Sequence, residues 1–532
     1  MPKGSKTPQV TRFPPEPSGY PHAGHLKAIF TNLKEAERTK GKTILRFDDT
    51  NPSTSKQEYV DNILMLLNEY HLLERFSNGH SPSYASDYFD QMLDITKQLI
   101  SQGDAYVDES TPEEIRLQRS ELKESPFRGV DPEVNLKKWD EFVAGKLPKC
   151  VVRLKISYNN PNACLRDPIV YRYNSDPHYR TGDKYCVYPT YDLACPVADS
   201  LDGVTLAMRT KEFTEKNDLA KWFFKKVPSL KSVVYKSYSR FVLEYSILSK
   251  RTIRKLKEDG VIDGWDDPRL DTLSAELRKG ILPEAWEHYF QKHGTSNANG
   301  IEEWDKILKF NRNMIDDNCI RITAISQKMW QVAITGLNED EVSGTKSVPW
   351  SPKDKDGKKL GMKQIQVSNI VMIDEADATP LKVGHLVYLL NFRAIEIVRI
   401  CPATKMIEAK AHNEEFQFKD IPWKISWITL QEIMNHQTIK TTYYDYIITK
   451  PSITKDENVD DFLNTDSKSE LYLNLSQNQK VLDRKGMIVQ LVRFGYYIVD
   501  SVEPLNLVNI KEPGNKPQYL LQNNSPVKVT AQ

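Results

Sequence analysis

No stretch of this 532-residue chain stays apolar for long enough to cross a bilayer as a helix, which sets aside channels and transporters of the helical kind. The opening residues, Met1 to Val10, show neither the apolar segment of a secretory signal nor a long Arg-rich transit peptide, so the cytoplasm is the expected location and a membrane is not an expected partner. Cysteine is scarce: six residues, Cys150, Cys164, Cys186, Cys195, Cys319 and Cys401, with no C-x-x-C pair among them. That spacing offers neither a disulfide framework nor a zinc knuckle, so reduced, packed thiols and no zinc are expected. An excess of charge is missing as well, since 73 Lys and Arg face 72 Asp and Glu, and the simplest electrostatic sign of a nucleic-acid partner goes with it. A local basic surface stays open, because phosphate binding depends on where cations cluster rather than on their sum. What is present, 39% hydrophobic, 10% aromatic and 27% charged, is the composition of a globular protein. The length exceeds what one hydrophobic core fills, and roughly three to five domains are expected.

Over residues 8–103 the hydrophobic period alternates between strand and helix. Gln9 to Phe13 reads as a strand, Pro14 to Gly19 as a turn, and Leu26, Ile29, Phe30, Leu33 and Ala36 as the buried stripe of a helix. A strand at Thr43 to Phe47 follows, then a capping box at Ser55 to Glu58 opening a second helix, then a helix from Tyr88 to Ile100. Strand, helix, strand, helix implies a parallel sheet with crossovers. Residues 104–186 break the rhythm and read as an insertion, and the α/β pattern resumes over 187–240. Helices dominate 241–320, with Lys and Arg gathered in Thr252 to Asp259. From 321 to 532 the texture is all-β, in runs such as Gln364 to Ile373, Ala394 to Ile400, Thr441 to Thr449 and Met487 to Asp500.

Two segments carry chemistry. Pro21-His22-Ala23-Gly24-His25 sits where a strand-to-turn passage enters a helix, and helix starts offer free N–H groups and a positive dipole end that suit a polyphosphate. Gly19 and Gly24 permit close backbone approach, and His22 and His25, three apart, share one side of the first turn. H-x-x-H alone is more often an ordinary turn. Joined to Arg12-Phe13-Pro14-Pro15-Glu16-Pro17-Ser18-Gly19-Tyr20, it resembles the HIGH signature of class I aminoacyl-tRNA synthetases in its glutamyl and glutaminyl form, with Ala23 where Ile is usual and Pro21 where Leu is common. Over two hundred residues later, Phe241 to Arg251 resembles the KMSKS loop of the same subfamily, with Leu248 in place of Met and Lys250 as the phosphate-binding cation. Such a lysine stabilises charge developing at the phosphates and transfers no proton.

Four residues are candidates for holding an amino acid: Arg12, Asp48, Tyr191 and Arg209. Asp48 ends the second strand, where ligands sit in open α/β sheets, and could pair with an α-ammonium. Tyr191 could donate a hydrogen bond. Arg12 and Arg209 decide between glutamate and glutamine, because a guanidinium grips a carboxylate in a way a neutral amide cannot match. The resemblance adds that glutaminyl enzymes typically carry Cys at the position of Arg209, and that Tyr191 to Pro196 and Gly264 to Arg269 are closest to the eukaryotic and archaeal glutamyl type.

The resemblance implies a multidomain protein: an α/β Rossmann-type catalytic domain, an α+β acceptor-stem insertion, a helical stem-contact segment, and C-terminal all-β anticodon-binding barrels. It implies a glutamate–tRNA ligase that forms glutamyl-adenylate and pyrophosphate from L-glutamate and ATP, then passes glutamyl to the 3′-terminal adenosine of tRNA(Glu). Glu16, Pro17, Ser18, His22, Gly24, His25, Thr210, Arg240, Phe241, Leu248, Ser249 and Lys250 would contact ATP, with His22, His25 and Lys250 carrying catalysis. Mg²⁺ would travel with the nucleotide, no metal being bound by the protein itself, and positioning rather than a protein base would drive the reaction. Trp423, Trp427 and Tyr443 are candidates for stacking on unpaired anticodon bases. The amino-terminal extension often attached to eukaryotic relatives is not seen before the first strand, so contacts within a multi-synthetase complex are not expected by that route. A glutaminyl enzyme, a nondiscriminating glutamyl enzyme and a noncatalytic RNA-binding paralogue are the rival readings.

Overall fold

The computed structural model describes residues 7–247, 249–293, 300–454 and 456–514. They fall into two compact units, one running to Val242 and including Phe290–Glu302, the other made of Leu243–Tyr289 and the chain from Glu303 onward. No helix among the described residues is long and apolar enough to cross a membrane.

In the first unit, strand β1 (Val10–Phe13) runs parallel to β2 (Lys42–Phe47), with Val10 opposite Lys42, and β2 runs parallel to β3 (Ser83–Tyr84). Helix α1 (Ala23–Thr39) connects β1 to β2 and buries Leu26, Ile29, Phe30, Leu33 and Ala36, the stripe its sequence period predicts. It ends at Lys40 in the left-handed region (φ 56°), and Gly41 follows because a Cβ there would meet the Gln9 carbonyl at 1.8 Å. The helix predicted after Ser55 spans Gln57–Glu69, but its cap is Lys56 and makes no side-chain bond, so the capping box at Ser55 to Glu58 does not form.

The insertion folds as an antiparallel sheet of β4 (Ala105–Asp108), β5 (Val151–Leu154), β6 (Ile169–Tyr173) and β7 (Val187–Pro189). Strand β7, read from the sequence as the resumption of the α/β pattern, therefore belongs to this sheet through its pairing with β6. Helix α2 (Tyr191–Leu201) then leads to β8 (Leu206–Thr210), parallel to β9 (Val234–Tyr238). A bond from Thr205 N–H to the Val10 carbonyl, 2.9 Å, lays this pair beside β1. The carboxyl ends of β1, β2 and β8 thus open together, the place where parallel sheets present ligand sites.

The second unit begins with helices, among them α3 (Lys250–Glu258), and continues as two seven-stranded sheets. In one, Trp423–Ile425 and Trp427–Thr429 occupy opposite edges although Ser426 alone separates them in sequence. In the other, Ile320–Ile322 and Ala324–Ser326 stand at opposite edges with only Thr323 between. A sheet whose two edges are joined by one residue is curled almost into a barrel. The apolar run Met487 to Asp500 is a hairpin of Ile488–Leu491 and Gly495–Val502, turned at Arg493 (φ 74°).

Among the helices of this unit, Glu276 is fully buried with Lys279 at 2.9 Å as its cation, and burial pushes its carboxyl up to about 8, with Asp271 nearby adding to the rise. A raised folded value means stability present below the ordinary 4.5 is lost as pH climbs through about 8. Glu276→Gln, which keeps the shape without the charge, is therefore expected to unfold at higher temperature than the unsubstituted chain at pH 8. The gap should close at pH 5 in melting curves recorded across that range.

Candidate active site

The mouth of α1 is built first by its preceding turn. Pro15 and Pro17 carbonyls accept from the backbone N–H groups of Asp48 and Lys56, both at 3.0 Å, so residues 14–19 are pinned against the end of β2. His22 then takes an extended backbone (φ −132°, ψ 176°) and caps α1: its Nδ1 accepts from Gly24 N–H at 3.1 Å, while His25 Nδ1 accepts from His22 N–H at 3.0 Å. This reciprocal pair does with two imidazoles what Ser and Glu do in the usual capping box. Because each Nδ1 is an acceptor, each neutral ring carries its proton on Nε2, which is the donor such a site needs for a phosphate oxygen. No acidic residue stands in the first turn of α1 to repel an anion. Gly24 is required, since a Cβ there would lie 2.8 Å from His22 Cε1.

Residues 239–241 cross this mouth. The Phe241 carbonyl passes 3.8 Å from the place of a Gly24 Cβ, and Lys27, buried and with its pKa lowered by that burial, donates to Ser239 Oγ at 2.8 Å. Structure thus gathers Pro17, Ser18, His22, Gly24, His25 and Phe241. Glu16 is exposed and accepts from Thr54 at 3.4 Å, Arg240 pairs with exposed Glu212 at 3.4 Å, and Thr210 ends β8. Ser249 and Lys250 belong to the second unit, where Ser249 Oγ caps α3 by accepting from Thr252 N–H at 3.3 Å and Lys250 is the first helical residue. Leu248 lies outside the described residues.

Beside the mouth is a buried polar pocket. Asp199, inside α2, accepts from Arg12 Nε at 3.0 Å and lies 2.9 Å from Arg46 Nη2. Arg46 reaches on to Asp48 (2.8 Å) and Asp202 (3.0 Å). Burial pushes the Asp199 carboxyl up, but Arg12 and Arg46 outweigh it and hold it below the ordinary carboxylate range. Asp48 goes the other way, raised by burial against the pull of Arg46. Arg12 also donates to the Met208 carbonyl at 2.7 Å and points Nη2 toward Cys195 Sγ at 4.0 Å, so all three of its nitrogens are engaged. Burial, then Asp199, push the Cys195 thiol up to about 11.

Arg209 is different. It is 6% exposed and forms no ion pair with a carboxylate among the described residues. Nη2 donates to Asn217 Oδ1 at 2.5 Å, Nη1 to Tyr191 Oη at 3.3 Å, and Nε has no hydrogen-bond partner among the described residues. Its Cζ sits 3.9 Å from the centroid of the Tyr235 ring. Tyr191 is a phenol held protonated, its pKa driven well up by burial and by Cys195. The predicted set of Arg12, Asp48, Tyr191 and Arg209 is thus one cluster, with Arg12 neutralised by Asp199 and Arg209 carrying an unbalanced charge in a buried place, which is costly without an anionic partner.

The second unit holds a cavity of about 530 Å³, the size of a ligand site. Trp350, Tyr388, Phe418 and Trp427 wall it, with Arg321 and Lys363 among them. Arg321 Nε, Ser426 Oγ and Ser476 Oγ are buried there without hydrogen-bond partners among the described residues. Of the aromatic residues singled out in the sequence, Trp427 lines this cavity, with Nε1 bonded to the Leu390 carbonyl at 2.9 Å. Trp423 instead stacks on His385 and Tyr443 is buried in its strand; neither lines the cavity.

Residues 9–317 match the family model for the catalytic domain of class I tRNA synthetases (E and Q), and residues 424–500 match the anticodon-binding domain of the same class. The chain belongs to this synthetase family. It is 34% identical over 517 residues to a cytoplasmic glutamate–tRNA ligase of Arabidopsis thaliana, covering 94% of this chain and 69% of that one. It is 36% identical over 518 residues to a bifunctional glutamate/proline–tRNA ligase of Mus musculus, covering 96% of this chain but 33% of the relative, so it spans about a third of that protein's length. Among solved structures, a glutamate tRNA ligase from Elizabethkingia meningosepticum aligns over 58% of this chain and 69% of its own, with TM-score 0.41 and 18% identity.

In this synthetase four residues that organise the cluster were not singled out from the sequence: Arg46, Asp199, Asn217 and Tyr235. Two of them had a signal. Arg46 interrupts the apolar run Ile44-Leu45-Arg46-Phe47, and Asp199 interrupts Val197-Ala198-Asp199 on a helix that is otherwise apolar there, both being charges placed where only a partnered charge survives. Asn217 and Tyr235 had none, since a helix-start amide and a strand tyrosine are ordinary in those settings.

Proposed function

We propose that this synthetase activates L-glutamate with ATP, releasing pyrophosphate, and transfers glutamyl to the 3′ end of tRNA(Glu) in the cytoplasm, where the plant relative's printed name places that enzyme. The observation that supports this most is the buried Arg209 guanidinium with no carboxylate partner among the described residues. A γ-carboxylate completes that charge in a bidentate pair, and the protonated Tyr191 phenol can donate to the same group. Asp48, held by Arg46 at 2.8 Å, would take the α-ammonium. The α-carboxylate is already ionised and attacks the α-phosphorus directly, so the protein's task is to hold both reactants and receive the growing phosphate charge. His22 and His25 Nε2–H and the positive end of the α1 dipole would do this. These donors suit phosphate oxygens rather than a cation. Mg²⁺ would therefore be carried by the nucleotide rather than caged by the chain.

ATP–pyrophosphate exchange with glutamate or glutamine, with and without tRNA, followed by charging of purified tRNA(Glu) and tRNA(Gln), tests the proposal. Glutamine attached as fast as glutamate overturns it in favour of a glutaminyl enzyme, and no exchange with either leaves an RNA-binding protein.

The 530 Å³ cavity is proposed to hold unstacked anticodon bases on its aromatic walls. Lys363 inside it has its pKa lowered to about 8, by burial and then by Arg321. It is a cation below that value and neutral above it, so affinity for an anticodon stem-loop is expected to fall as pH rises from 7 to 9. Lys363→Met should bind more weakly at pH 7 and lose that slope in fluorescence titrations at constant salt.

A further inference from the structure

Resting on the reading of Arg209 as the partner of the γ-carboxylate, we propose that Asn217 and Tyr235 are positioning residues that hold the Arg209 guanidinium by uncharged contacts and so keep its charge for the amino acid. A guanidinium recognises a carboxylate in its own plane, and a long side chain free to roll loses that geometry. Two contacts remove the freedom. Tyr235 lies opposite Ala207 in the β8–β9 pair, which makes it the diagonal neighbour of Arg209 on the same face of the sheet, and its ring takes the guanidinium at 3.9 Å. The Tyr235 hydroxyl stands 3.5 Å from Asp199 Oδ2, tying the ring to the buried Arg12–Asp199–Arg46 cluster. At the other end, Asn217 takes Nη2 at 2.5 Å from the start of the helix Asn217–Lys226.

The chemistry of the holders matters as much as their geometry. Arg12, which donates to the carbonyl of Met208 next to Arg209 in the chain, is held by a carboxylate and is electrically satisfied. Around Arg209 every acceptor among the described residues is neutral: an amide oxygen, a phenol oxygen and an aromatic face. An aspartate at position 217 would fix Nη2 equally well and would spend the charge, standing where the ligand's carboxylate is meant to be the first anion. The pocket therefore separates the two tasks, rigidity from neutral groups and binding energy from the unspent cation.

The test is ATP–pyrophosphate exchange by the full chain, in the presence of tRNA, with KM measured separately for glutamate and ATP. Tyr235→Leu is expected to raise the glutamate KM about tenfold or more, the scale of a desolvated cation–π contact, and to leave the ATP KM unchanged. Tyr235→Phe, which keeps the ring face, should recover most of that loss. Asn217→Asp should raise the glutamate KM by a similar factor while leaving the weak use of glutamine as it was, so that the preference for glutamate over glutamine narrows; it carries the test if Tyr235→Leu does not fold. A glutamate KM within twofold of the unsubstituted value in Asn217→Asp, or equal rises for glutamate and ATP in every variant, overturns the inference while leaving the glutamate reading intact. Absence of glutamate-dependent exchange by the unsubstituted chain overturns both.

Discussion

Replacement of Arg209 by cysteine is expected to weaken glutamate far more than ATP, by about 2–4 kcal/mol or roughly 30- to 1,000-fold in KM, because a desolvated carboxylate loses its partner. The same substitution has an unusual companion effect on the empty protein. A buried guanidinium without an anion is a cost in the folded state, so its removal should leave the melting temperature unchanged or raise it. Saturating glutamate, which stabilises the unsubstituted chain by mass action, should no longer shift the variant's melting temperature at the same concentration. Pyrophosphate exchange and thermal unfolding with and without glutamate check the three parts together. A variant that melts well below the unsubstituted chain would show that Arg209 serves the fold, and that its charge is already balanced.

The second large effect belongs to Asp199. Arg12 and Arg46 are both nearly inaccessible and share its Oδ1 at 3.0 and 2.9 Å. Asp199→Asn keeps the shape and leaves two guanidiniums confronting each other across a neutral amide, a loss of about 3–5 kcal/mol for a broken buried pair. In a unit of this size that lowers the melting temperature by roughly 2–4 °C per kcal/mol. The acid side fixes the sign. The Asp199 value is depressed in the folded chain, so its contribution is complete above the ordinary 3.8 and fades as pH falls through the lower folded value. Differential scanning calorimetry should therefore show the full gap between Asp199→Asn and the unsubstituted chain at pH 5 and above, with convergence only in stronger acid. A gap under 1 kcal/mol at pH 7 would mean water already shares the load.

Arg209→Cys and Asp199→Asn also mark where the sequence is legible and where it is not. His22 and His25, whose spacing alone is more often an ordinary turn, are legible through the longer string from Arg12 to His25, and Arg209 through its likeness to a family position. Their geometry is local, settled within one turn of helix or one strand end. Asp199 answers Arg12 across 187 residues, and Tyr235 meets Arg209 only because β9 lies parallel to β8 in a particular register. No periodicity in one segment encodes the register of another. The same limit explains β7: Val187-Tyr188-Pro189 is a sound strand in any sheet, and only its partner β6 decides which. At Ser55 the failure is of another kind, since the box pattern was present but the chain entered the helix one residue later at Lys56.

The single residues Ser426 and Thr323 join the opposite margins of the two curled sheets in the second unit. An open margin is a row of unused N–H and C=O groups that invites a strand from a neighbouring molecule. Bringing the last strand of each sheet back to within one residue of the first withdraws that invitation. It also makes the two joints intolerant of length: one residue added at either would reverse which faces of the following strand look inward, a defect far larger than any substitution there.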